Sequence, residues 1–216
     1  MRCFVAMGRR LYENGRKRAA LIAAGIALFK EKGYEKVSVE EICARIHVTK
    51  PTFYNRIGRK EMILIHWFNE QSVNALPEAR QILEEKGPRA AFPKLFSCFH
   101  QIANRMGPEL YAVYSNYILQ NPDIYHVDYE KWLDLAAECI RQLQEENAIE
   151  SRQDPMSLAS LLMQINDGLC IVWASQEGSF DLQGVFCQWS SDLLGFHEPF
   201  IDPNPSYCAP RISEPS

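Results

Sequence analysis

The chain has 216 residues, 47% of them hydrophobic and 23% charged, which is enough for one sizeable core or two modest ones. No apolar run approaches the ~18 residues of a membrane span, and the short apolar start is cut off by Arg9 and Arg10, so a cytoplasmic protein with a flexible leader over residues 1–15 is expected. The net charge of −4 hides a split, with 14 Lys and Arg against 5 Asp and Glu through Lys60 and 9 against 22 beyond it; a basic head on an acidic body suits a module for polyanions joined to one that avoids them.

The elements read as helices almost throughout. Leu21, Ala24, Gly25, Leu28 and Phe29 fall on one stripe of a first helix that begins near Arg16 and stops at Gly33. Ser38, with Glu41 three residues on, forms a capping box for a short second helix whose Val39, Ile42, Cys43 and Ile46 face inward. After His47 and Val48, Thr49 is the next N-cap and Pro51 sits in the first turn of a third helix, where its missing N–H costs nothing. Phe53 and Ile57 pack inward from that helix, and Gly58 ends it. A fourth helix is expected from near Arg59 toward Leu76 and Pro77, resuming to Lys86.

Two short helices joined by a turn, the second polar on its outer face, form the helix-turn-helix arrangement, whose second helix enters the major groove. Here Thr49, Lys50, Thr52, Tyr54, Asn55 and Arg56 carry the hydroxyl, amine, amide and guanidinium groups that bond phosphates and base edges. Arg16, Lys17 and Arg18 ahead of the first helix, Ser38 at the second and Arg59 with Lys60 before the fourth add candidate phosphate contacts.

At these positions the sequence resembles the TetR family of bacterial transcription regulators. The resemblance runs through Ala19 to Phe29, Lys32 to Tyr34, Val37 to Cys43, Val48 to Tyr54 and Arg59 to Glu61, about 45 residues of the head. It implies that Thr49, Lys50, Pro51 and Thr52 meet the groove, that Tyr54 and Asn55 meet the backbone, and that Lys60 anchors a phosphate. Three positions depart from the family: His47 replaces the usual turn glycine, Pro51 another glycine, and Ile57 an aromatic. Histidine tolerates a left-handed turn better than a branched residue does.

Beyond the head, Gly87-Pro88, Gly107-Pro108, Asn121-Pro122 and Asp154-Pro155 mark boundaries between helices expected over 89–106, 109–120, 123–148, 155–176 and 181–195. The fold is therefore all-α with about nine helices: a helix-turn-helix domain over 16–60, a helical regulatory and dimerisation domain over 61–197, and a proline-rich irregular tail over 198–216. A head this small reads DNA best as a homodimer on half-sites ~34–36 Å apart or a multiple of that. Leu158, Leu162, Ile165, Leu169 and Trp173 on one helix and Leu182, Val185, Phe186, Trp189 and Leu193 on the next are the candidate interface, as a four-helix contact of the kind the resemblance implies. The alternative is that both stripes face the subunit's own core.

Phe96, Phe99, His100, Tyr111, Tyr114, Tyr117, Trp132 and Met163 could line a pocket for a small, largely apolar ligand, with Asp167 at its edge. The resemblance, in which many members respond to small molecules, favours that reading over plain core. The seven cysteines are never closer than 17 residues apart and the histidines lack metal-ligand spacing, so neither a disulfide framework nor a metal site is expected. No catalytic triad, glycine-rich phosphate loop or carboxylate pair emerges, so neither an enzyme nor a cofactor is expected.

Overall fold

The computed structural model describes residues 2–124 and 129–198, with side chains from residue 15 onward. Apart from Glu198, the expected tail lies outside the described residues. Among those described there are nine α-helices: α1 (Arg2–Lys32), α2 (Val39–Arg45), α3 (Lys50–Arg56), α4 (Met62–Lys86), α5 (Pro88–Met106), α6 (Pro108–Gln120), α7 (Tyr129–Glu145), α8 (Pro155–Ser175) and α9 (Leu182–Leu194). The chain divides into two compact units, Met1–Glu70 and Gln71–Ser216.

In the head, α1 starts well before Arg16, because no proline stands in its path and the backbone continues in helix through Gly8 and Gly15. The head core consists of Leu21, Leu28 and Phe29 from α1, Ile42 from α2, Phe53 from α3 with Ile57 after it, and Ile63 and Leu64 from α4, all buried. Ile63 lies so close to Gly25 that a Cβ there would stand 2.6 Å from its Cδ1, so the glycine admits the fourth helix. This contact is why the head unit extends past residue 60.

Ser38 caps α2 as expected, its Oγ accepting from the Glu41 N–H at 3.2 Å. The second half of the capping box does not form. The Glu41 carboxylate pairs with the Lys32 ammonium, a stronger partner than a backbone amide. Thr49 stands at the N-cap position of α3 without a side-chain capping bond, and its hydroxyl shares a 3.0 Å hydrogen bond with that of Thr52.

α4 starts three residues later than expected and runs unbroken through Pro77, which is exposed; Ala79 and Leu83 are buried, and their burial offsets the lost backbone bond. In the body, α8 packs against α6, α7 and α9. It is long and apolar enough to cross a membrane by composition, yet Leu158, Leu162, Leu169 and Trp173 along it are buried in protein. Asp154 and Asp181 cap α8 and α9 by accepting from the N–H groups of Ser157 and Gln183. After α7, a backbone bridge between Ile149 and Phe196 ties the chain to the end of α9.

Candidate functional site

The turn between α2 and α3 closes through His47, at φ 56°, with Val48 N–H donating to the Cys43 carbonyl at 3.0 Å. The histidine does adopt the left-handed conformation its position requires. From that turn, α3 buries only Phe53, completely, while Ile57 is buried just beyond it. Thr49, Lys50, Pro51, Tyr54 and Asn55 are exposed, with Thr52 and Arg56 half-buried. One short helix thus offers hydroxyls, an amine, a phenol and an amide outward from a fixed base, the inventory that base edges and phosphates require. Lys50 does not stand alone: its ammonium pairs with the Glu40 carboxylate in the first turn of α2.

The basic rim is partly assembled by the fold. Arg16 and Lys17 of α1 share an open groove of about 360 Å³ with Ile46, His47 and Val48, which sets two cations beside the turn. Arg18 contacts His66 on α4 at 2.7 Å. Lys60 is placed differently from the simple phosphate anchor expected of it. Its ammonium donates to the carbonyls of Tyr34 (3.0 Å) and Val37 (3.1 Å) and stands 3.9 Å from the Tyr34 ring centre. Two of its three hydrogens therefore hold the loop between α1 and α2, and one remains.

The body gathers the candidate pocket residues into separate clusters. Phe96 and His100 meet Phe186, Phe99 meets Trp132, and Tyr111 meets Tyr114 and Trp173. Tyr117 is only half-buried, and the Trp132 indole donates to Ser72 Oγ at 2.9 Å. Met163 is buried, and Asp167 is half-buried. Burial pushes the Asp167 carboxyl up to about 6, opposed by the donating Asn166 amide. Burial also pushes the Tyr111 and Tyr114 hydroxyls upward, and both remain protonated at neutral pH. Asn166, which with Asp167 interrupts the apolar stripe of residues 158–173, is buried beside that carboxyl. Sequence reasoning passed over Gln183, which bonds the His100 ring at 2.9 Å; a polar residue on the inner face of an apolar helix is the signal that could have found it.

Residues 21–66 match the model of the bacterial regulatory proteins of the tetR family. Over those residues the head is similar to the DNA-binding part of that family. Along more of the chain, the A-factor receptor protein of Streptomyces griseus is 25% identical over 187 residues, covering 84% of this chain and 64% of that receptor's length. Among solved structures, Thermus thermophilus FadR, a TetR-family repressor in complex with lauroyl-CoA, superposes with a TM-score of 0.63 at 21% identity, covering 82% of this chain and 92% of that one. A TetR-family regulator from Pectobacterium atrosepticum gives 0.62 at 18% identity, covering 89% and 98%. Both likenesses establish the fold of the body as well as the head.

The fold divides the interface residues expected from sequence between core and surface. Leu158, Leu162, Leu169, Trp173, Leu182 and Phe186 are buried within this chain and leave almost no surface for a second copy. An amphipathic stripe shows which residues are apolar but not which apolar edge a neighbouring helix covers. The surface instead holds Leu161, Val172, Trp189 and Leu193, with Ile165 and Val185 half-buried between them. On α8 these positions recur at i, i+4 and i+11, and on α9 at i, i+4 and i+8, one face of each helix.

Proposed function

We propose that this chain is a sequence-specific DNA-binding repressor that acts as a homodimer in the bacterial cytoplasm and leaves its operator when a small, largely apolar molecule enters the body. The observation that carries the DNA reading is α3, anchored by Phe53 and Ile57 and exposing Thr49, Lys50, Pro51, Tyr54 and Asn55 next to the basic groove of Arg16 and Lys17. Residues 16–60 with the start of α4 form the reader, and the acidic remainder keeps the body off the duplex. Arg18, Ser38, Thr52, Arg56 and Lys60 complete the contact set.

Ligand control draws on the buried aromatic and polar residues of the body, and on FadR relatives that bind acyl-CoA. Ligand and DNA would oppose each other through a coupling of about 1–3 kcal/mol. A second reading keeps the dimeric DNA binder and dispenses with the ligand, leaving control to a protein partner or to abundance; the filled aromatic clusters favour it where they leave no room.

Duplex binding followed against salt tests the DNA reading. If each head neutralises about four phosphates, the logarithm of affinity falls with that of salt at a slope of about −7. A slope near zero overturns it. Lys50→Ala is expected to blur sequence preference as well as weaken binding.

A further inference from the structure

The charged side chains of α2 serve two different neighbours. Glu41 pairs with Lys32 and Arg45 with Glu31, which ties α2 to the end of α1. Glu40 reaches α3 instead. Its Oε1 pairs with Nζ of Lys50 in the first turn of that helix, and the two side chains are 56% and 50% exposed. Beneath the pair, the helices that carry it are held by the buried Ile42 and Cys43 of α2 and Phe53 of α3. A carboxylate therefore stands at the exposed start of α3, where Thr49, Lys50 and Pro51 face outward.

A carboxylate on a surface that meets DNA has few places to go. Phosphates repel it, and the guanine edge in the major groove holds only acceptors. The hydrogens it can accept there are those on cytosine N4 and adenine N6. Lys50 decides between the two. Its ammonium has three hydrogens; with one on Glu40, two remain, which matches the O6 and N7 acceptors of guanine. The cytosine of that base pair presents its N4 amino group beside O6, and the Glu40 carboxylate keeps lone pairs to accept from it. An A·T pair fits worse, because its N7 and O4 acceptors are divided by the N6 donor and the thymine methyl adds an apolar group. Were Lys50 to take a phosphate instead, Glu40 would be drawn toward like charge.

We infer that Glu40 reads sequence together with Lys50: the pair spans one G·C base pair in each half-site, with the ammonium on guanine and the carboxylate accepting from the cytosine amino group. The inference rests on the DNA reading proposed above and names the base pair that this part of the surface selects. It adds a residue of α2 to a contact set otherwise drawn from α3 and the basic rim.

The test uses the full chain as wild type, K50A, E40A and E40Q. Each selects bound fragments from random duplex DNA, and fluorescence anisotropy then measures affinity for the wild-type duplex with single base pairs exchanged. The wild type is expected to select a G·C pair in each half-site whose exchange for A·T, in one half-site, weakens binding about tenfold. K50A and E40A are each expected to reduce that discrimination to about threefold or less, at the same base pair. E40Q loses the charge but keeps an acceptor oxygen, so most of the discrimination is expected to remain. Because the ion pair is exposed and contributes little to folding, all three variants are expected to keep wild-type helical content by circular dichroism. E40A that binds every duplex more tightly with its discrimination intact would reduce Glu40 to a repelling charge and overturn the inference. So would E40Q losing as much discrimination as E40A, losses by K50A and E40A at different base pairs, or A·T preferred at the shared pair; each leaves the DNA reading standing. A wild type that selects no sequence sinks the sequence-specific reading as well.

Discussion

Arg18 on α1 and His66 on α4 are joined by a 2.7 Å contact between the guanidinium Nη2 and the imidazole Nδ1. Because a guanidinium can only donate, Nδ1 accepts and the ring's proton sits on Nε2, which donates to the backbone of Ile57 at the end of α3. One neutral imidazole thus links Arg18, a residue of the proposed DNA contact set, to the C-terminus of α3. Burial first, then the Arg18 charge, lowers His66 to about 4, against the favourable bond to Ile57.

His66→Gln keeps one acceptor and one donor, so DNA affinity near that of the wild type is expected from it, while His66→Leu weakens binding to random duplex DNA and makes the salt slope shallower. Equal affinity of the leucine variant and the wild type would remove Arg18 from the contact set. Since the folded pKa lies below the unfolded value of 6.5, the unfolded chain binds more protons between pH 6.5 and 4. Stability contributed by His66 is complete above pH 6.5 and is lost as pH falls through about 4. His100 shares that window in the body, so the informative quantity is the difference between wild type and His66→Gln in melting temperature from pH 7 to 4. The glutamine variant should lose less.

Lys60→Ala removes two charge-assisted hydrogen bonds to the Tyr34 and Val37 carbonyls and leaves those acceptors short of partners. A loss of about 1–3 kcal/mol in head stability is expected, on top of any loss in DNA binding. Denaturant unfolding of the full chain measures it. A variant as stable as the wild type but weaker on DNA would return Lys60 to the role of a plain phosphate anchor.

His47 holds φ at 56°, where a Cβ is unfavourable. His47→Gly relieves that strain but frees the unfolded chain, and the balance favours glycine by about 0.5–1 kcal/mol. Its ring also lines the groove beside Arg16 and Lys17, so the same variant changes the groove wall next to α3. Thermal unfolding checks the first effect, and a marked fall in melting temperature would contradict it.

Trp189 is 50% exposed and Leu161 40%, on the outward faces of α9 and α8. Trp189→Glu and Leu161→Glu are each expected to yield a folded monomer of 24.8 kDa by sedimentation, with operator affinity lost and helical content kept. Phe186→Ala, one turn away but buried, should instead cost about 3–5 kcal/mol of stability. Dimers that persist in both glutamate variants would move the interface elsewhere.

Local signals carried the head. The stripe ending in Leu28 and Phe29, Ser38 at its cap, Pro51 in a first turn and the pair Phe53 and Ile57 each act over one or two helical turns, so the sequence alone determined a helix-turn-helix and which residues it exposes. It also determined the helical order of the body, because glycine and proline stop helices wherever they meet. Only the tertiary structure decided what each apolar residue faces. Leu158 and Leu161, three positions apart, read alike, yet α8's neighbours cover one and leave the other half open. The same is true of His66, Lys60 and His100, whose roles come from partners 48, 26 and 83 residues away in the chain. No periodicity reports a contact over such distances; packing of whole helices creates it.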